Sequence, residues 1–255
     1  GMRKPFVAAN WKMHKTVDES VDYVRRFVPL VDAAADVDIV VAPSFLALSA
    51  LVEATENSRV SVAAQNVNAE PQGPFTGEVS LNMLRASGIE FVIIGHSERR
   101  QLYGETNADV NAKVRASVDA GLTPIVCVGE ALAEREADAT FEVIERQIRE
   151  GLTDLTTDQG ATIVVAYEPV WAIGTGQVAT PEQANAAHQH IRTQLVSQFG
   201  NDAASACRII YGGSVKPANA AEIMACADVD GSLVGGAGLD PSSFAEIVAV
   251  SRPSR

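Results

Sequence analysis

Ile163-Val164-Val165-Ala166-Tyr167 is followed by Glu168-Pro169-Val170-Trp171-Ala172-Ile173-Gly174-Thr175-Gly176 and then by Thr180-Pro181-Glu182-Gln183, and together these hold one complete structural unit. The first run is continuously apolar and rich in β-branched residues, the pattern of a strand buried on both faces of a parallel sheet. A carboxylate ends it, Pro169 stiffens its exit, and an apolar arm bounded by glycines follows. Thr180, three residues ahead of Gln183, predicts a capping box, with Pro181 at the first helical position where no amide hydrogen is missed. The order of apolar run, loop and amphipathic stretch recurs along the chain. The other runs are Phe6–Asn10, Asp38–Ala42, Val60–Gln65, Phe91–Gly95, Ile125–Gly129, Arg208–Tyr211 and Gly231–Gly235. Thr16 with Glu19 repeats the capping box, Asp240-Pro241 opens the last helix, and Gly200 after Phe199 closes the sixth. One unit per ~32 residues is close to the minimum for a strand–helix–strand crossover. The prediction is an α/β fold, a single closed (β/α)8 barrel of eight parallel strands, with a doubly wound open sheet as the alternative. No linker divides it, so one domain is expected over residues 2–255, and Gly1 reads as a residue left by tag removal.

Composition excludes several classes of function. The 255 residues carry 20 Lys+Arg against 32 Asp+Glu, a net charge of −12, with 47% apolar residues. Nucleic acid or an anionic membrane would need a broad basic face, so neither is expected as a partner. A small anion in a locally positive pocket remains compatible. Cys127, Cys207 and Cys226 lack metal-site spacing and predict reduced thiols, with no metal. No secretory signal and no apolar run near the ~18 residues of a membrane span is visible, so the expected location is cytoplasmic.

In a barrel the chemistry belongs where strands end and βα loops begin. Those ends carry Asn10 and Lys12, Gln65 and Asn66, His96 and Glu98, Glu168, Ser214, and Gly235 with Gly236. Each has a plainer reading. Glu168 and its arm can be a base beneath a closing segment or an ordinary surface loop. His96, ahead of Ser97-Glu98, sits where a helix N-terminus keeps imidazole neutral, or is a structural histidine. The glycine-rich loops Tyr211–Val215 and Gly231–Gly238 either cradle a phosphate with backbone amides or merely permit tight turns. Lys12 is a counter-ion to that phosphate or a solvated lysine. Gly174–Ala179 also fits a degenerate GxGxxA pattern, but it lies beyond the strand-to-helix turn that dinucleotide binding needs. There is no P-loop.

Taken together, Ala9–Met13, Gln65-Asn66, Phe75–Glu78, Ile94–Arg100, Cys127–Glu130, Ala166–Gly176, Tyr211–Val215 and Leu233–Ala237 closely resemble the triosephosphate isomerase family, in the family's order and over nearly the whole chain. The resemblance implies a cofactor-independent isomerase of glycolysis and gluconeogenesis. It would interconvert dihydroxyacetone phosphate and D-glyceraldehyde 3-phosphate, a small phosphorylated three-carbon substrate, through an enediolate. It implies Glu168 as the base, His96 as the electrophile, and Lys12 and Asn10 on the substrate. Gly174, Ser214, Gly235 and Gly236 would bind phosphate, with Glu98, Thr76, Ile173 and Leu233 in support. It also implies a homodimer through the loop Asn66–Val79, with Thr76 approaching the neighbour's Asn10–Lys12 strand end. The length of that loop and the aromatic Phe75 near its tip agree with docking into another surface. The competing readings are an aldolase-like barrel, which would need an interior lysine or a metal cluster, and a barrel that binds phosphate without catalysis.

Overall fold

The computed structural model describes residues 3–253. Gly1 and the outermost ends of the expected 2–255 span lie outside them. Eight strands, β1 (Phe6–Asn10), β2 (Asp38–Ala42), β3 (Val60–Ala64), β4 (Phe91–Ile94), β5 (Thr123–Val128), β6 (Val164–Tyr167), β7 (Arg208–Tyr211) and β8 (Gly231–Val234), form a closed barrel in chain order. All pairings are parallel, and β1 pairs with β8 to close the ring, with Phe6 opposite Gly231. This is the (β/α)8 architecture expected from the repeated unit.

The side-chain period of two along a strand decides what faces the axis. Phe6, Ala8, Val40, Ala42, Ala63, Ile93, Ile125, Cys127, Val164, Ala166, Ile210 and Leu233 form one buried cluster inside the barrel. The alternate residues, among them Val7, Ala9, Val165 and Ile209, pack outward into a larger cluster beneath the helices. Continuing the inward parity past the strand ends leads from Phe6 and Ala8 to Asn10, from Val164 and Ala166 to Glu168, from Ile210 to Gly212, and from Leu233 to Gly235. The rim therefore inherits its orientation from the core.

Two glycines permit the close approach of neighbouring strands. A Cβ on Gly129 would stand 1.6 Å from the Glu168 carbonyl oxygen, and one on Gly231 would stand 1.8 Å from that of Phe6. The first contact seats the end of β6, where the Glu168 amide also donates to the Val128 carbonyl at 2.7 Å.

Local chemistry explains the helices. Thr16 and Thr180 form the expected capping boxes before Val17–Leu30 and Pro181–Phe199, and Asp240 accepts from the Ser243 amide ahead of Pro241–Ser251. Gly200, with φ +89°, ends the helix Pro181–Phe199. After β4 the helical stretch divides. Ser97–Tyr103 stops at Gly104, with φ +68°, and Thr106 caps a new helix over Asn107–Asp119. Among the described residues no helix is long and apolar enough to cross a membrane.

Candidate active site

The C-terminal ends of the strands surround a cavity of about 290 Å³. Asn10, Lys12, His96 and Glu168 line it. Ile173, Gly174, Ser214, Leu233, Gly235 and Gly236 line the same cavity. Glu98 does not line the cavity but reaches Lys12, with its Oε2 at 3.1 Å from Lys12 Nζ. Thr76 lies apart from it, on the exposed loop after β3.

Glu168 is 2% exposed, and His96 and Ser97 hold its carboxylate. His96 Nε2 stands 2.9 Å from Oε2, the Ser97 amide donates to Oε1 at 3.1 Å, and the Ser97 hydroxyl donates to Oε2 at 3.4 Å. Burial opposes ionisation of Glu168, but the His96 ring and the Ser97 amide outweigh it, so its pKa lies below the ordinary carboxylate value. His96 is affected in the opposite sense. Burial lowers its pKa, and the Glu168 and Glu98 carboxylates raise it more, leaving it above the ordinary imidazole value.

This shift departs from the expectation that a helix N-terminus alone sets the state of His96. The helix does act on the ring. His96 is the N-cap of Ser97–Tyr103, and its Nδ1 accepts from the Glu98 amide at 3.2 Å. An Nδ1 that accepts leaves the proton of the neutral ring on Nε2, the atom facing the cavity. The carboxylate beside Nε2 pulls the other way, and the sequence does not place it there.

Lys12 occupies a left-handed backbone conformation, φ +54°, which a non-glycine residue holds only when its surroundings enforce it. Its amide donates to Asn10 Oδ1 at 2.9 Å, and Gln65 Nε2 donates to its carbonyl at 2.8 Å. Asn10 and Gln65 thus fix the backbone that carries the ammonium.

Several supporting residues escaped the sequence reading. Buried Glu105 accepts from the Gly95 amide at 3.1 Å, from Arg99 at 2.8 Å and from Lys113 at 3.0 Å, and Lys113 also donates to Asn66 at 3.0 Å. Arg100 donates to the Gly95 carbonyl at 2.9 Å and to the Cys127 carbonyl at 3.3 Å. Together these pin the turn that presents His96. Ser97 belonged to a quoted motif without a role, although a hydroxyl beside a candidate base was the available signal. Glu105 offered none, because its partners lie in other elements.

The arm after Glu168 begins with a short 3-10 turn, Val170–Ala172, and continues through Gly174 and Gly176 with φ of +67° and +78°. The Thr175 hydroxyl donates to the Trp171 carbonyl at 2.7 Å, and the Arg135 guanidinium lies 5.2 Å from the centre of the Trp171 ring. Among the described residues no group of three or more His, Cys, Asp or Glu side chains is placed to hold a metal ion.

A carboxylate, an imidazole and an ammonium share one cavity with glycine-rich loops at the mouth of a parallel barrel, the layout of an α/β-barrel enzyme. The family model described as "Triosephosphate isomerase" matches residues 5–251. The chain is 56% identical to the triosephosphate isomerase of Moorella thermoacetica over 247 residues, covering 97% of this chain and 98% of that one. It is 53% identical to that of Solibacter usitatus, covering 97% and 99%. It is 49% identical to that of Endomicrobium trichonymphae, covering 98% and 100%. The chain belongs to the triosephosphate isomerase family.

Proposed function

We infer that the chain carries out the reaction its family is named for, the reversible isomerisation of dihydroxyacetone phosphate and D-glyceraldehyde 3-phosphate. The observation that carries this reading is the Glu168–His96 pair in a cavity that glycine-rich loops also line. Glu168 takes a proton from C1 of dihydroxyacetone phosphate, and the C–H electrons form the C1–C2 double bond while the carbonyl electrons move to its oxygen. His96 Nε2–H and the Lys12 ammonium stabilise the developing oxyanion, and Asn10 orients the substrate. His96 gives its Nε2 proton to the C2 oxyanion and takes the C1 hydroxyl proton in its place, and protonated Glu168 then returns its proton to C2 as the electrons on the C1 oxygen form the aldehyde carbonyl. The amides of Gly174, Ser214, Gly235 and Gly236 hold the phosphate, and Glu98 restrains Lys12.

Before it can act, the Glu168 carboxylate must leave Ser97 and His96 and turn toward the substrate carbon. Ile173 and Leu233, apolar residues at the cavity, exclude water around the base once the arm closes. Replacing Glu168 by Asp keeps the charge and withdraws it by about one methylene, and a ~1 Å misplacement loses ~10²-fold in rate. Steady-state kinetics of Glu168→Asp should show kcat lowered about 100-fold with KM little changed. A near-normal kcat would remove Glu168 from the role of base.

The proposal extends to a homodimer in the cytoplasm. Residues 70–78 of the loop after β3 are exposed, and its base is tied by the Asn68 amide to the Val79 carbonyl at 2.8 Å and by Asn68 Nδ2 to Glu78 at 2.9 Å. Beside the active site runs a cleft of about 420 Å³ lined in part by Met13, Phe45, Leu102 and Tyr103. Met13 is 94% exposed and Leu102 71%. Apolar side chains this open in one cleft next to the site favour burial against a second copy of the chain.

A further inference from the structure

The chain has five lysines, and four of them have partners. Lys4 pairs with Asp38 at 3.0 Å, Lys12 with Glu98 at 3.1 Å and Lys113 with Glu105 at 3.0 Å. Lys15 lies over the rings of Trp11 and Tyr23. Lys216 has no carboxylate or ring partner among the described residues, and it lines the same cavity as Ser214 and Gly235.

Its backbone is held in that place. The Lys216 amide donates to Asn219 Oδ1 at 2.7 Å, and Asn219 Nδ2 donates to the Ser214 carbonyl at 2.9 Å. One side-chain amide thus brackets Ser214–Lys216 on both sides. Pro217, at the first position of the helix Pro217–Met224, further confines Lys216 to the extended backbone it adopts, φ −134° and ψ 163°.

The charges around the cavity give this ammonium a task. Among the described residues Glu168 is the one carboxylate lining the cavity, and Lys12, the other lysine there, is already tied to Glu98. A dianion approaching a chain of net charge −12 meets repulsion everywhere except where positive charge is uncompensated. Lys216 is exposed, and its long stem lets a compact, hydrated charge reach outward and fold back over the glycine loops.

We propose that Lys216 is a further substrate-binding residue, an unpaired ammonium at the phosphate end that draws the triose phosphate dianion into the cavity and holds it beside the loop amides. The proposal rests on the assignment of Ser214, Gly235 and Gly236 to phosphate. Because the phosphate sits on C3, away from the two carbons that exchange the proton, an ammonium at that end governs capture and not the proton transfers. Its effect belongs to kcat/KM and KM, and salt screens it, since the Debye length is only ~10 Å at 0.1 M.

The test compares the wild type with Lys216→Gln, Lys216→Glu and Lys216→Arg across a sodium chloride series, and measures inhibition by sulfate at constant ionic strength. At low salt, kcat/KM should fall roughly three- to tenfold in Lys216→Gln and further in Lys216→Glu, with kcat within about twofold and recovery in Lys216→Arg. The salt dependence of kcat/KM should flatten and sulfate should inhibit more weakly. If kcat/KM, salt slope and sulfate inhibition all match the wild type, or if the loss falls in kcat alone, the proposal is overturned. A loss that Lys216→Arg does not restore, with a lower Tm, marks a structural lysine and overturns it as well. If sulfate fails to compete with substrate in the wild type, the phosphate assignment beneath the proposal fails instead.

Discussion

Glu168 and His96 shift each other's ionisation in opposite directions, and this has a consequence for pH. Glu168 titrates below its ordinary 4.5, so the stability it contributes is present above that value and is lost as pH falls through its lowered pKa. His96 titrates above its ordinary 6.5, so its contribution is present below that value and is lost as pH rises through its raised pKa. The pair therefore stabilises the resting site most between pH 4.5 and 6.5. Glu168→Gln removes the charge that raises His96. A proton-NMR titration should place the His96 midpoint above 6.5 in the wild type and lower in the variant. An unchanged midpoint would mean that Glu168 does not control the ring. At this scale the sequence was informative for residues whose type and strand-end position announce them, such as Lys12, His96 and Glu168. It was silent on Glu105 and Lys113, whose importance lies in partners that only the closed barrel brings near.

Among the elements, the arm Val170–Gly176 is the proposed closing segment. Its conformation depends on two glycines at positive φ, and a Cβ on either Gly174 or Gly176 would meet nothing within 4 Å, so no packing anchors these turns. An enediolate phosphate left open to water readily expels its phosphate, so an isomerase must cover it. Deleting Ala172–Thr175 should divert product toward methylglyoxal and inorganic phosphate, measured as phosphate released per substrate consumed. Unchanged partitioning would reduce the arm to a surface loop. The sequence placed the strands within a residue or two, and the differences have causes. Gln65 drops out of β3 because its side chain turns to donate to the Lys12 and Ala42 carbonyls. β5 starts at Thr123, before a proline that reads as a breaker, because the Thr123 amide donates to the Glu90 carbonyl at 2.8 Å and needs nothing from Pro124. The division of the stretch after β4 at Gly104 was not anticipated, although a glycine followed by Thr106 and Asp109 is a stop-and-restart signal.

For the molecule as a whole, the exposed loop around Phe75 and the apolar cleft beside Lys12 join assembly to activity in the proposed dimer. Phe75 is 41% exposed and packs against nearby Gly73, whose added Cβ would stand 2.9 Å from the ring. Charged replacements of Phe75 and Thr76 should yield a monomer by sedimentation and lower kcat/KM in the same samples, because the Lys12 strand end loses its neighbour. A fully active monomer at assay concentration would separate assembly from catalysis. The barrel itself was legible because eight similar units leave few ways to bury eight two-sided strands. The proposed dimer contact rests in the sequence only on a loop too long and too aromatic for its surroundings, since a surface reads alike whether a partner or water covers it.

The seam between β1 and β8 has a consequence for biosynthesis. Phe6 and Gly231 come from opposite ends of the chain, yet they lie side by side where the ring closes. A ribosome delivers β1 first and β8 last, so throughout translation the nascent sheet has two raw edges, β1 and whichever strand has just emerged. Such edges invite pairing with another chain, and contacts of this sequence separation form slowly. The hazard ends when the last strand is released and docks against the first. The newborn chain is therefore most prone to aggregate just before β8 is released, when nearly all of the barrel's apolar strand surface has been made and the ring is still open.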